Sequence, residues 1–259
     1  MKTVASKENP AYKSLAKLVN SAAERRKRGL TVVEGLHLVE ACLKAGHVVA
    51  SLMVSDSACG DAEVARLLLR AGKVSVTRLS DKLFQAVSTL PSSAGILAVV
   101  ATPSGRPVPA DAGFCLLLED VQDPGNVGTL LRSAAAAGAE HVLLSPSCAF
   151  AWSPKVLRAG QGAHFALNIA ESADLAGFLA TWKGKSVALA SDASTSIFDV
   201  DIAGPIAFLV GNEGAGLSRD LLKVAGMRAR IPMPGAAESL NAGVAGSIAL
   251  FEAVRQRKG

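Results

Sequence analysis

Three short stretches hold the polar residues that could do chemistry: Asp123-Pro-Gly-Asn-Val-Gly128, Gly211-Asn-Glu-Gly-Ala-Gly216 and Pro234-Gly-Ala-Ala-Glu-Ser-Leu-Asn241. Each follows an apolar run and leads into a segment of helical pattern. In a parallel α/β sheet, turns of this kind emerge at the carboxyl edge of the strands, where ligands bind, so the three turns are expected to face one cleft. Their glycines allow the backbone to approach a ligand closely. Asn126, Glu213, Ser239 and Asn241 supply amides, a carboxylate and a hydroxyl, and Arg132 follows one helical turn beyond Gly128. Asn126, Ser239 and Asn241 also suit helix caps.

Several chemistries are excluded by pattern. Gly211-x-x-Gly214-x-Gly216 reverses the spacing of a dinucleotide fingerprint and comes late in its domain. No turn carries a Walker A lysine. The early glycine-rich turn and later acidic clamp of the doubly wound methyltransferases do not appear in order. Cys42, Cys59, Cys115 and Cys148 form no C-x-x-C pair and read as reduced, buried thiols. His37, His47, His141 and His164 are scattered, so no metal site is expected.

The 259 residues are half apolar, enough for a large core in one or two domains. No run is long enough for a membrane span and the amino end has no apolar signal core, so a soluble, cytoplasmic protein is expected. Through residue 105 the chain has fourteen Lys and Arg against eight Asp and Glu; the remainder has thirteen against fourteen. The positive excess therefore sits in the amino-terminal part, as suits contact with a polyanion.

That part opens with a helix predicted from Pro10 to Arg28, ending in the basic run Arg25-Arg26-Lys27-Arg28 before Gly29. Short strands then alternate with helices: Leu30 to Val33, Leu36 to Lys44, Val48 to Val54, Ala62 to Arg70, Val74 to Thr77, a helix from Asp81, and Ile96 to Val100. This is a small α/β domain with a parallel or mixed sheet. The proline-rich stretch Thr102 to Pro109 marks a linker.

Beyond it, Phe114 to Leu118, a helix from Val127 to Ala137, and His141 to Leu144 make a βαβ unit. Strands follow at Val187 to Ala190, Ile206 to Val210 and Arg228 to Ile231, and Ala149 to His164 reads as loop with a short helix. The last helix shows two stripes, Leu240, Val244, Ile248, Phe251 and Ala242, Gly246, Ala249, Ala253, both expected to be buried. The small-residue stripe suits close approach of the protein's own sheet or of a second subunit.

The segments Asp123 to Arg132, Leu209 to Leu217, and Ile231-Pro-Met-Pro through Glu238-Ser-Leu-Asn241 resemble, in order and spacing, the three motifs of the SpoU (TrmH) family of RNA ribose 2′-O-methyltransferases, part of the SPOUT superfamily. The first domain, with Val33-Glu34-Gly35-Leu36-His37, is similar to the substrate-binding domain of many members. The resemblance implies an α/β fold with a carboxyl-terminal trefoil-knotted SPOUT methyltransferase domain and a smaller amino-terminal α/β (L30e-like) RNA-binding domain. The expected boundaries are 1–103, a linker over 104–110, and 111–259.

The same resemblance implies that S-adenosylmethionine lies at Leu209, Gly211, Asn212, Gly214, Ile231, Met233, Leu240 and Asn241, and that Asn126, Arg132, Glu213, Ser239 and Asn241 form the catalytic set. Arg132 matches the family's reactive arginine, a general base or an organiser of the ribose hydroxyl and adjacent phosphate; Glu213 would orient it or bind a turn amide. Lys13, Lys17, Arg25, Arg26, Lys27 and Arg28 are expected to contact RNA phosphates. The chain departs from the family pattern at Ala242-Gly243 and in Arg158-Ala-Gly-Gln161, which lacks a serine. The expectation is a homodimeric enzyme methylating large-subunit ribosomal RNA; a transfer RNA enzyme of the family and a non-catalytic RNA-binding or ribosome-assembly factor are the alternatives.

Overall fold

A computed structural model of the chain describes residues 1–258. They form two compact units, one of residues 1–103 with 152–165, the other of 104–151 with 166 onward. In chain order the first contains β1 (Lys2–Val4), α1 (Pro10–Asn20), α2 (Ala22–Arg28), β2 (Leu30–Glu34), α3 (Leu36–Lys44), β3 (Val49–Ser55), α4 (Ala62–Ala71), β4 (Ser75–Leu79), α5 (Asp81–Gln85) and β5 (Ile96–Ala101). Its sheet is mixed, in the order β1-β4-β3-β5-β2, with β5 antiparallel to both β2 and β3. Leu15 and Leu18 of α1 close over Val32, Met53, Leu97 and Val99, burying their side chains almost completely. Each such side chain contributes about 1.5–3 kcal/mol relative to exposure.

The helix predicted from Pro10 to Arg28 is broken. Ser21 is extended, and its hydroxyl accepts from Glu24 N at 3.2 Å, so it caps α2 instead of continuing α1. Arg25 is thereby turned inward and buried. Its Nη1 donates to the carbonyls of Leu18 at 2.6 Å and Val19 at 2.9 Å, which belong to the last turn of α1 and have no partner within that helix. Burial and then the charge of Arg26 lower its pKa, yet a guanidinium stays charged at neutral pH. The expectation that Arg25 contacts phosphate is corrected: it caps α1 from within.

The second unit contains β6 (Phe114–Leu118), α6 (Pro124–Ala137) and β7 (His141–Leu144). The chain then passes through α7 (Pro154–Gly160), which groups with the first unit, and returns with β8 (Asn168–Ala170), α8 (Leu175–Thr181), β9 (Lys185–Leu189), β10 (Ile206–Val210), α9 (Arg219–Val224), β11 (Met227–Ala229) and α10 (Ala242–Lys258). The sheet order is β11-β9-β10-β6-β7-β8 and every pair is parallel. All residues of β6 and β10 are buried, the continuous apolar run that a sheet covered on both faces demands.

Within the first unit, the segment 152–165 is tied down by polar contacts. Thr31 donates to the carbonyl of Trp152, Arg158 Nη1 donates to Thr89 O at 3.0 Å, and a ring nitrogen of His37 pairs with Gln161 O at 3.1 Å.

Of the two stripes on α10, only one is buried. Gly246 lies so close to α6 and β10 that an added Cβ would stand 2.3 Å from Leu130 Cδ2 and 3.1 Å from Val210 Cγ2. Gly243 is similarly set against Thr129, which would meet a Cβ at 3.3 Å, so the glycine of the departing pair serves helix contact. In the single chain the other stripe is left open: Val244 and Phe251, with Leu240 just before the helix, are 46, 49 and 37% exposed.

Candidate active site

The polar core of the site is built on the buried side chain of Asn126, in the first turn of α6. Asn126 was expected to cap that helix, but the cap is Asp123, whose carboxylate accepts from Asn126 N at 2.8 Å, with Pro124 at the first helical position. The Asn126 side chain is thus free to reach both other turns. Its Nδ2 donates to Glu213 Oε1 at 2.9 Å, and its Oδ1 accepts from Asn241 Nδ2 at 2.8 Å. Both ends of a buried amide are satisfied, one by each turn.

Each partner is held in turn. Glu213 also accepts from Asp123 N at 3.1 Å and Gln122 N at 3.3 Å. Asn241 caps α10, its Oδ1 accepting from Val244 N at 3.2 Å. Ser239 makes no such cap; it is exposed and lies on the wall of the adjoining cleft.

That cleft, of about 450 Å³, opens at the carboxyl ends of β9, β10 and β11. Gly211, Asn212, Gly214, Ile231, Met233 and Leu240 of the expected cofactor residues line it. Leu209 and Asn241 do not; the Leu209 side chain is fully buried within β10. At Gly211 a Cβ would fall 2.2 Å from the Gly216 carbonyl carbon and 2.4 Å from Leu217 N, so the turn closes on itself only because no side chain is there. Asn212 pairs with Gly216 through both backbone groups, and its Oδ1 accepts from Gly214 N and Ala215 N at 3.0 Å.

A family model described as the SpoU rRNA Methylase family matches residues 113–251, more than half of the chain. The chain belongs to the SpoU rRNA methylase family. A second model, the MRM3-like substrate binding domain, matches residues 9–98. The 23S rRNA (guanosine(2553)-2′-O)-methyltransferase RlmP of Bacillus subtilis is 33% identical over 97% of this chain and 98% of its own length. The RlmB methyltransferase of Xylella fastidiosa is 40% identical over 55% of this chain and 58% of its own. Among solved structures, AviRb of Streptomyces viridochromogenes in complex with AdoMet superposes with a TM-score of 0.88 at 27% identity, covering 97% of this chain and 99% of that one. An AdoMet-bound rRNA methyltransferase from Sinorhizobium meliloti gives 0.86 at 29%, covering 98% and 97%.

In this SpoU methylase Arg132 is exposed on α6 and makes no hydrogen bond or ion pair among the described residues. Of the two roles expected for Glu213, orienting Arg132 or binding a turn amide, the structure shows the second: it accepts from the amides of Gln122 and Asp123, just before α6, and from Asn126, not from Arg132. Sequence reasoning missed the exit of β9: Leu189, Ala190, Ser191 and Asp192 also line the cleft, with Asp192 paired to Arg228 at 2.6 Å. The signal was a polar Ser-Asp pair after an apolar strand, the same design as the three turns.

In the first unit, Lys17, Arg26, Lys27 and Arg28 are exposed, Arg28 with Nη1 on Ser14 Oγ at 2.9 Å, while Lys13 pairs with Glu8. The arrangement around Glu213 has a pH signature. Partial burial opposes its ionisation, but hydrogen bonds from Asn126, its own amide, Asp123 and Gln122 outweigh it and hold the carboxyl below the usual range. A depressed pKa adds stability above the ordinary carboxylate value and loses it as pH falls through the folded one. Acidification below about pH 4.3 should therefore destabilise the wild type more steeply than Glu213→Gln in urea unfolding; parallel curves would refute the tie.

Proposed function

We propose that the protein methylates a ribose 2′-hydroxyl of structured RNA, of the large-subunit ribosomal type, using S-adenosylmethionine. The observation that carries this reading is the joining of three turns by Asn126 beside a cleft walled by the second and third. Relatives matched over 97% and over 55% of the chain are named for 23S rRNA, which favours ribosomal over transfer RNA.

The cleft fits the cofactor. Its volume is within the roughly 300–1,000 Å³ of small-molecule sites, and its walls combine Leu189, Leu217, Ile231, Met233 and Leu240 with the backbone of a glycine turn. Bound there, S-adenosylmethionine supplies an electrophilic methyl group on a positively charged sulfur. The Gly211–Gly216 turn and residues 231–240 hold it by main-chain groups and apolar contact, as the sequence resemblance implied.

Arg132 holds the RNA. Its guanidinium presents five donors in a planar fork, so it grips a phosphate and orients the adjacent hydroxyl. Alignment of the hydroxyl with the methyl is the catalytic gain: the 2′-oxygen takes the methyl, S-adenosylhomocysteine is left, and the hydroxyl proton passes to solvent water. Glu213, already accepting from three donors, serves as a tie between turns. Ser239 borders the cofactor, and Asn241 fixes the start of α10. Exposed Lys17, Arg26, Lys27 and Arg28, with Lys13, bind phosphates without reading sequence.

The trefoil knot belongs to the same reading. It is supported by the packing of α10 on α6 and β10 and by the Asn241–Asn126 bond, which hold the carboxyl-terminal segment against the earlier turns. A homodimer through the open α10 face, Val244 and Phe251, is supported by that face being apolar and exposed in one chain. Among the described residues no helix is long and apolar enough to cross a membrane and no group of side chains suits a metal. Cytoplasmic residence fits an enzyme of ribosomal RNA.

Calorimetric titration with S-adenosylhomocysteine should show binding to wild type and to Arg132→Ala, and none to Leu240→Arg. Arg132→Ala should nevertheless lower methyl transfer to ribosomal RNA by roughly 10²-fold; an active Arg132→Ala or a binding Leu240→Arg refutes these roles. Replacing Arg26, Lys27 and Arg28 together by Ala, with Arg25 left in place, should weaken RNA binding and reduce the slope of log affinity against log salt by about 2. An unchanged slope removes them from the RNA face. Sedimentation should report a dimer for wild type and a monomer for Val244→Glu with Phe251→Glu, whereas a monomeric wild type ends the dimer proposal.

A further inference from the structure

The turn that lines the cleft is anchored from a place that neither the sequence motifs nor the reaction just described assigns. Asp120 follows β6 with a backbone φ of 54°, in the left-handed region that side chains other than those of Asn and Asp rarely enter. Two contacts hold it there: Ser145 Oγ, just beyond β7, donates to Asp120 Oδ1 at 2.6 Å and accepts from Asp120 N at 2.9 Å. In this conformation the Asp120 carbonyl accepts from Asn212 Nδ2 at 2.9 Å.

Asn212 is the first side chain of the cleft turn, and its other end takes the amides of Gly214 and Ala215. A chain of hydrogen bonds thus runs from the end of β7, through the strained residue after β6, to the turn after β10. We propose that Asp120 is a positioning residue for the cofactor, fixing the amide plane of Asn212 and through it the Gly211–Gly216 turn, with Ser145 as the latch that holds Asp120 in place. This inference rests on the cofactor lying against that turn.

Three single variants test it by calorimetric titration with S-adenosylhomocysteine, each with its thermal unfolding measured alongside. Loss of the Ser145–Asp120 contacts, one in Asp120→Ala and both in Ser145→Ala, predicts binding about tenfold weaker or more in each. Asp120→Asn, which tolerates the same φ and keeps an acceptor for Ser145, should bind within about twofold of wild type. Rescue by Asn separates positioning from a need for the carboxylate charge.

If wild type binds and Ser145→Ala binds equally well, the latch is refuted, and Ser145→Ala removes only a hydroxyl, so this arm remains readable should Asp120→Ala fail to fold. If Asp120→Asn is as weak as Asp120→Ala, positioning through the left-handed conformation is refuted. If wild type itself does not bind, or Leu240→Arg binds as wild type does, the cofactor assignment fails instead.

Discussion

The buried amide of Asn126 is the constraint on which the second unit's functional edge depends. A primary amide away from water must be satisfied at both its oxygen and its nitrogen, since each unpaired group costs about 1–3 kcal/mol. Here the nitrogen is met by Glu213 and the oxygen by Asn241, 87 and 115 residues away in sequence. Three turns that would otherwise move independently share one fixed point. The geometry of the edge is then set by polar satisfaction, while its strands are set by apolar burial.

That burial also explains the glycines. Parallel strands β6 and β10 are covered on both faces, so the helix returning over them must come close. Leu130 and Val210 leave no room for a side chain at Gly246, and Thr129 leaves little at Gly243. Ser133 and Ser247 continue the contact with a hydroxyl pair at 2.7 Å. From Asn126 to Ser133, α6 therefore meets α10 along small or hydrogen-bonded residues, and the register of α10 is specified by shape as well as by the Asn pair. Packing at this density tolerates little added volume.

How much of this was legible in the chain depended on how local the cause was. Strands β6, β7 and β10 stand where their unbroken apolar runs placed them, because a covered parallel strand needs no partner to announce itself. Strands β1 and β8 and helices α8 and α9, three to seven residues long, offered too little periodicity. Asp123 before Pro124 is a readable cap, and it places Asn126 inside the first turn. Arg25 was not readable in the same way, because its inward turn depends on the break at Ser21 that starts a new helix. A run of four basic residues hid the one turned inward. The pairing of Asn126 with Glu213 rather than Glu213 with Arg132 had no local signal at all, since it depends on which turns meet in space.

The site divides its residues by how much ordering remains to be done. Asn126, Glu213, Asn212 and Asn241 are each held by at least two hydrogen bonds before any ligand arrives. Arg132 is held by none among the described residues, and ordering so long a side chain costs about 1.5–2 kcal/mol of rotamer freedom. In the proposed reaction that cost falls when RNA binds, and is offset by the phosphate contact the guanidinium then makes. On that proposal, a prearranged cofactor edge with a loose arginine would favour catalysis only when both ligands are present: the cofactor would find its turns already built, and Arg132 would become ordered only against RNA. Had Glu213 been turned to Arg132, the arginine would be ordered in advance, but the amides of Gln122 and Asp123 and the buried Asn126 nitrogen would lose their acceptor. The structure keeps the buried network satisfied and leaves Arg132 exposed, without a hydrogen bond or ion pair among the described residues.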